Sequence, residues 1–223
     1  MSEYSKEFVA KVKSYIHLAK KIGLNAVYEK FDEFETPLLT QLLLDSGINP
    51  LKELKWVPDN FAIDTSIPSD LIIPDNIYKI GEFSFFTAGL KRVVVGDNVK
   101  SIGKGAFANN HNLTEISISS YGNLTHIGDG AFSNLFSIQK IHIPEGVEIL
   151  EKQVFEFDRQ LKEVTLPSTL KHLGSGAFFG AKLARVFYNG TLEDFSRVDW
   201  ADEYMDYVYL KDSSGDYMLY KFR

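Results

Sequence analysis

The sequence contains no cysteine. That single absence removes disulfide scaffolds, thiol nucleophiles, thiolate-bound zinc and iron–sulfur clusters. No long apolar run is present either. The most apolar stretch, Pro37 to Leu44, is far shorter than the ~20 residues that cross a bilayer. A secretory signal needs an unbroken apolar region, and Glu3, Lys6, Glu7, Lys11 and Lys13 interrupt the first residues. Positive charge is scarce: 24 Lys and Arg face 30 Asp and Glu, a net charge of −6. A nucleic-acid backbone binder needs clustered Lys and Arg to displace counterions. The expectation is a cytoplasmic chain, bacterial or inside a host cell, that engages neither nucleic acid nor membrane. The three sequons at Asn112, Asn123 and Asn189 read as chance matches in such a chain.

Aromatic residues and glycine are abundant: 17 Phe, 11 Tyr and 16 Gly in 223 residues. Their spacing is periodic. The segment Ile-Gly-x-x-x-Phe occurs at Ile80–Phe85, Ile102–Phe107 and Ile127–Phe132, with Leu173–Phe178 close to it and a degenerate copy at Leu150–Phe155. The phenylalanines at 85, 107, 132, 155 and 178 are spaced 22, 25, 23 and 23 residues apart, and Phe61 precedes the first by 24. Strand-like runs accompany them, at Leu71–Ile73, Val93–Val95, Ile116–Ile118, Ile141–Ile143, Val164–Leu166 and Val186–Tyr188. One ~23-residue unit cannot bury its own apolar face, whereas stacked units bury a continuous column. The pattern therefore predicts one parallel strand per repeat and a stack of Phe rings on the axis. The glycine after each Ile is expected to adopt positive φ in a tight turn. Pro74, Pro144 and Pro167 are expected to end strands.

Gly103-Lys-Gly-Ala-Phe107, Gly128-Asp-Gly-Ala-Phe132 and Gly174-Ser-Gly-Ala-Phe178, each followed by a strand, resemble the BspA-like leucine-rich-repeat family. Tyr188-Asn-Gly-Thr-Leu-Glu-Asp-Phe195, with Trp200 after it, is similar to that family's terminal segment. The resemblance covers about residues 56–200. It implies an α+β chain built on a right-handed leucine-rich-repeat solenoid, and non-enzymatic recognition, often as a cell-surface adhesin. The division expected is a helical region over 1–55, the solenoid over 56–200 and a β-hairpin cap over 201–223. Residues 3–22 place Phe8, Val12, Tyr15, Ile16, Ala19 and Ile22 at helical spacing. A second helix is expected from Thr36 as N-cap with Pro37 at its first position. A third is expected over Lys52–Trp56. This region is read either as a cap on the open end of the column or as a separate partner-binding or oligomerising element.

Chemistry is sparse. The Gly-x-Gly pairs at 103/105, 128/130 and 174/176 recur at one repeat position and lack the third glycine of a dinucleotide loop. His126 and His172 lie two coils apart, roughly 10 Å by strand spacing, too far to share a metal. The acidic residues Glu145, Glu148, Glu151, Glu156, Asp158, Asp199, Asp202, Glu203 and Asp206 read as solvated faces. Neither a catalytic residue nor a cofactor or metal site is expected. One column is informative. The outward residue before each strand's first core position runs Asp70, Arg92, Glu115, Lys140, Glu163, Arg185. Its sign alternates, as cross-strand pairing requires. The next outward column is Ile72, Val94, Ser117, His142, Thr165 and Phe187. Its apolar ends need cover from a cap or a partner, so these six residues form the expected partner-binding face. The functional expectation is an intracellular protein–protein recognition module that serves a bacterium or a phage by binding a host protein. The alternative is a surface or secreted adhesion module.

Overall fold

The computed structural model describes residues 4–62, 67–201, 205–212 and 214–221. The N-terminal region is helical: α1 (Lys6–Ile22), α2 (Leu24–Tyr28) and α3 (Glu35–Asp45). The Ser5 side chain accepts from the Phe8 N–H and caps α1, which ends at Gly23 with φ +81°. Thr36 does not cap α3. It lies buried inside the first turn, and the Asp32 carboxylate accepts from the Phe34 and Glu35 N–H groups instead. A carboxylate at a helix start satisfies the free donors and complements the dipole better than a hydroxyl does. The expected helix over Lys52–Trp56 is also absent. Pro50–Lys52 forms a 3-10 turn, and Trp56–Val57 is the first strand, β1.

From β1 onward the chain coils. Each coil carries a longer strand of three or four residues: β2 (Asp70–Ile72), β4 (Arg92–Val95), β6 (Glu115–Ile118), β8 (Lys140–His142), β10 (Glu163–Leu166) and β12 (Arg185–Tyr188). Each also carries a two-residue strand that the sequence analysis did not include: β3 (Lys79–Ile80), β5 (Ser101–Ile102), β7 (His126–Ile127), β9 (Ile149–Leu150), β11 (His172–Leu173) and β13 (Asp199–Trp200). The short strands and β1 form one seven-stranded parallel sheet, in order β1-β3-β5-β7-β9-β11-β13. A four-residue helix, α4 (Leu192–Phe195), precedes β13. A hairpin of β14 (Tyr207–Lys211) and β15 (Tyr217–Lys221) adds to β12 and ends the fold. Tyr204 and Phe222, expected in this hairpin, and Asp202 and Glu203 of the acidic series lie outside the described residues.

The Phe rings form the expected axis. Phe85, Phe107, Phe132, Phe155 and Phe178 are each at most 1% exposed. Successive centroids are 5.4, 5.7, 6.1 and 5.6 Å apart, with planes within 8–11° of parallel. Phe61 joins this column from a different register. Val57 pairs with Ile80, so Ala62, not Phe61, is the counterpart of Phe85. Phe61 reaches the stack from the preceding position and meets Phe85 edge-on, at 73° and 5.8 Å. On its other side it packs on Tyr28 of α2 at 5.7 Å. The helices thus continue the core, and the Asn25 side chain accepts from the Lys55 N–H and donates to the Trp56 carbonyl of β1.

The glycines divide into two roles, and the expected assignment is corrected here. Those following Ile or Leu do not need positive φ; they permit backbone contact between coils. A Cβ on Gly103 would lie 2.7 Å from the Gly81 carbonyl carbon, and one on Gly174 would lie 2.5 Å from that of Glu151. Positive φ occurs two residues later, at Phe83, Gly105, Gly130, Gln153 and Gly176, and again four residues on, at Thr87, Asn109, Asn134, Phe157 and Gly180. Each coil therefore turns through two left-handed residues on its way back to the longer strand.

One acidic residue also departs from expectation. Asp158 is fully buried, three residues after Phe155. Its Oδ1 accepts from the Leu135 N–H at 2.7 Å, and its Oδ2 has no hydrogen-bond partner among the described residues.

Candidate functional site

The register places the two outward columns as the sequence orders them. Asp70 pairs with Arg92, Arg92 with Glu115, Lys140 with Glu163 and Glu163 with Arg185. Three rungs close as ion pairs: Arg92–Glu115 at 3.2 Å, Lys140–Glu163 at 3.3 Å and Arg185–Glu163 at 2.6 Å. All three are partly solvated, so each is worth at most ~1 kcal/mol.

The face is not one continuous sheet. Strands β2, β4 and β6 form one sheet, and β8, β10, β12, β14 and β15 form another. Glu115 and Lys140 face each other across the gap without an ion pair among the described residues. From Ile118 to Ile127 the chain takes nine steps, against seven from Val95 to Ile102 and from Ile143 to Leu150. The two extra residues lengthen the turn that carries Tyr121, which stands 94% exposed. That turn follows β6, which pairs with β4 and not with β8. The 25-residue spacing between Phe107 and Phe132 was the visible signal for it.

The second column is brought together only within each sheet. Ile72 pairs with Val94 and Val94 with Ser117; separately, His142 pairs with Thr165 and Thr165 with Phe187. Ile72 is 64% exposed and Val94 is half-buried. Ser117 and His142 are exposed. Phe187 is not free. Tyr209 and Tyr217 of the hairpin lie 4.9 Å from its ring, and the Arg185 guanidinium sits 5.8 Å from it. The hairpin thus covers the C-terminal end of the column.

Beyond the strand ends, Glu145 gathers a small polar network. It accepts from the Ser168 N–H and hydroxyl and from the Asn189 amide. Partial burial alone would raise this carboxyl, but those hydrogen bonds outweigh it and hold it below the usual range. Tyr217 in turn donates its hydroxyl proton to Asn189. The network ties β12 and the hairpin to the turn after β8.

A further surface stripe escaped the sequence analysis. On the turns that return to the longer strands, His111 stacks on Phe136 at 4.4 Å, with the Arg159 guanidinium 5.5 Å from that ring. Phe157 meets Phe179 at 5.1 Å. The available signal was the position four residues after the axial Phe, which holds His111, Phe136 and Arg159 in three successive coils. The histidines stand apart: His126 lies 3.7 Å from Glu151, and His172 is 2.7 Å from Asp199. Among the described residues, no three His, Asp or Glu side chains gather as a metal set. Nor is any described helix long and apolar enough to cross a membrane.

Comparison with known proteins places these features. The family model described as BspA type leucine rich repeat region matches residues 59–185 in six copies. Among solved structures, the chain is similar to a leucine rich cell surface protein from Faecalibacterium prausnitzii. The identity is 27% and the TM-score 0.53, over 63% of this chain and 38% of that one. It is similar to the pneumococcal vaccine antigen PcpA at 27% identity and TM-score 0.51, over 60% of this chain and 33% of that one. The leucine rich repeat protein of T. pallidum, at 24% identity and TM-score 0.50, shares the fold, over 58% of this chain and 61% of that one. The chain spans less than two thirds of the length of each of these relatives. No curated protein matches it.

Proposed function

Because this chain belongs to the BspA-type leucine-rich-repeat family, a protein-interaction or adhesion-type repeat fold, we propose that it is a non-enzymatic recognition module. Its partner is a protein, and the contact surface is the longer-strand face around Ile72 and Val94. The observation that carries this reading is the exposure of Ile72 beside Val94 on a regular strand face. The charged rungs pair with each other, so they set register and leave the apolar column to make contact. The opposite end of the column, at Phe187, already has its cover in the hairpin. Ser117 and His142 would supply polar contacts beside it.

Two settings fit this role. One is intracellular, a bacterial or phage protein that binds a host protein. The other is adhesion at a cell surface, and the likeness to the cell surface protein of Faecalibacterium favours it. Fractionation of the native host, with detection of the chain in cytoplasm or on intact cells, separates the two. The recognition reading is tested by affinity capture with wild-type chain and with an Ile72→Asp, Val94→Asp variant. A specific partner lost with the variant supports the face. Equal capture by both forms overturns it.

A further inference from the structure

The last strand is exposed at all five positions, with Met218, Leu219 and Tyr220 at 60, 58 and 40%. Among the described residues it pairs on one side only, antiparallel with β14. The direction of its free backbone groups follows from the ladder. In an antiparallel pair, residues that exchange both hydrogen bonds alternate with residues that turn both groups away. The Asp212 N–H donates to the Asp216 carbonyl at 2.8 Å, so 212–216 is a bonded pair. Along the register, 210–218 and 208–220 are then bonded, while 211–217, 209–219 and 207–221 are not. The Lys211 N–H confirms the alternation by donating to Gly190, away from β15. On β15, then, Tyr217, Leu219 and Lys221 turn their N–H and C=O groups to the outer edge.

We infer that this edge pairs with the same strand of a second copy of the chain, antiparallel about a twofold axis at Leu219. A twofold contact is self-complementary by construction. Only the register centred on Leu219 uses all three outward residues, closing about six backbone hydrogen bonds. It sets Leu219 against Leu219, Tyr217 against Lys221 and Met218 against Tyr220 of the other copy. Lys221 therefore meets an aromatic ring and avoids its own counterpart. The register that the backbone favours thus also keeps like charges apart and sets the one cation against a ring. Edge strands that must stay single carry proline, bulges or inward charges. This one has no proline and a continuous register, and its only charge is at the end. Pairing would also join the two five-stranded sheets into one.

The absence of cysteine makes the test direct. Leu219→Cys puts two thiols across the axis, at a Cα separation of about 5.5 Å, within disulfide reach. Mild oxidation should yield a disulfide-linked dimer, whereas Tyr121→Cys, at a more exposed position, should not. In sedimentation velocity the wild type should dimerise with concentration, and Leu219→Lys should remain monomeric. Leu219→Pro should also be monomeric while keeping its circular dichroism, because the lost N–H faces outward and β14 does not use it. A wild type that stays monomeric into the millimolar range overturns the inference. So does a dimer that survives Leu219→Lys, or equal cross-linking by both cysteine variants.

Discussion

Asp158 and Asn110 occupy the same place in two coils, three residues after the axial Phe. Both are fully buried. Asn110 uses both ends of its amide: Oδ1 accepts from the Leu90 N–H, and Nδ2 donates to the Phe85 and Phe107 carbonyls. Asp158 reproduces only the first bond, from Leu135. Burial pushes its carboxyl well above the usual range, and the single backbone bond only partly offsets this. Asp158→Asn should restore the missing donor and stabilise the fold by about 1–3 kcal/mol at neutral pH, the cost of an unsatisfied buried polar group. The sign of the pH dependence follows. A carboxyl whose folded pKa is raised binds its proton more tightly when folded. Its penalty is absent below the unfolded value of about 3.9 and grows as pH rises from there to the folded value. Urea titrations of the two proteins should diverge towards neutrality and converge near pH 4. A gap independent of pH would refute the assignment.

At the scale of the coil, the two kinds of glycine should respond differently to alanine. Gly103→Ala drives a Cβ into the Gly81 backbone. The two coils must separate, at about 1–3 kcal/mol, the range for overpacking. Gly89→Ala meets nothing within 4 Å, but φ is +71° there, so only the left-handed penalty of about 1–2 kcal/mol applies. Chemical denaturation of both variants checks the order. Phe132→Ala, in the middle of the ring stack, should cost about 3–5 kcal/mol. The charge column should matter far less. A double-mutant cycle on Arg92 and Glu115 should return a coupling of no more than about 0.5 kcal/mol, falling with added salt. That column was readable in advance because strand register turns a 23-residue spacing into a side-by-side contact. The two-residue strands were not readable, because two residues ahead of a glycine or polar position are too short to show alternation.

At the scale of the molecule, the break between β6 and β8 poses the question of cooperativity. The longer-strand face is interrupted there, while the seven-stranded sheet and the Phe stack run past it. The two tryptophans report from opposite ends: Trp56 lies in β1, the first strand of the short-strand sheet, and Trp200 in β13, the last. If the continuous core governs, Trp56→Phe and Trp200→Phe variants should show coincident fluorescence transitions in urea, as one unit. Transitions that separate would mean that the break divides the solenoid into halves.

Much of the architecture follows from the sequence alone, because a repeat states the same local solution several times. The period, the axial Phe residues, the strand register and the sign alternation along the outward column all follow from stacking equivalent positions. The tertiary structure decided what depends on neighbours outside the repeat. Phe61 enters the stack from one position early because Tyr28 of the helical region meets it there. Phe187 lost its role as an open contact because the hairpin's tyrosines lie against it. Asp158 looked like surface in a run of acidic residues, and only the packing of the adjacent coils shows that it is buried without a second partner. Composition and spacing specify which residues are equivalent; burial and hydrogen bonding are set by what each one meets in three dimensions.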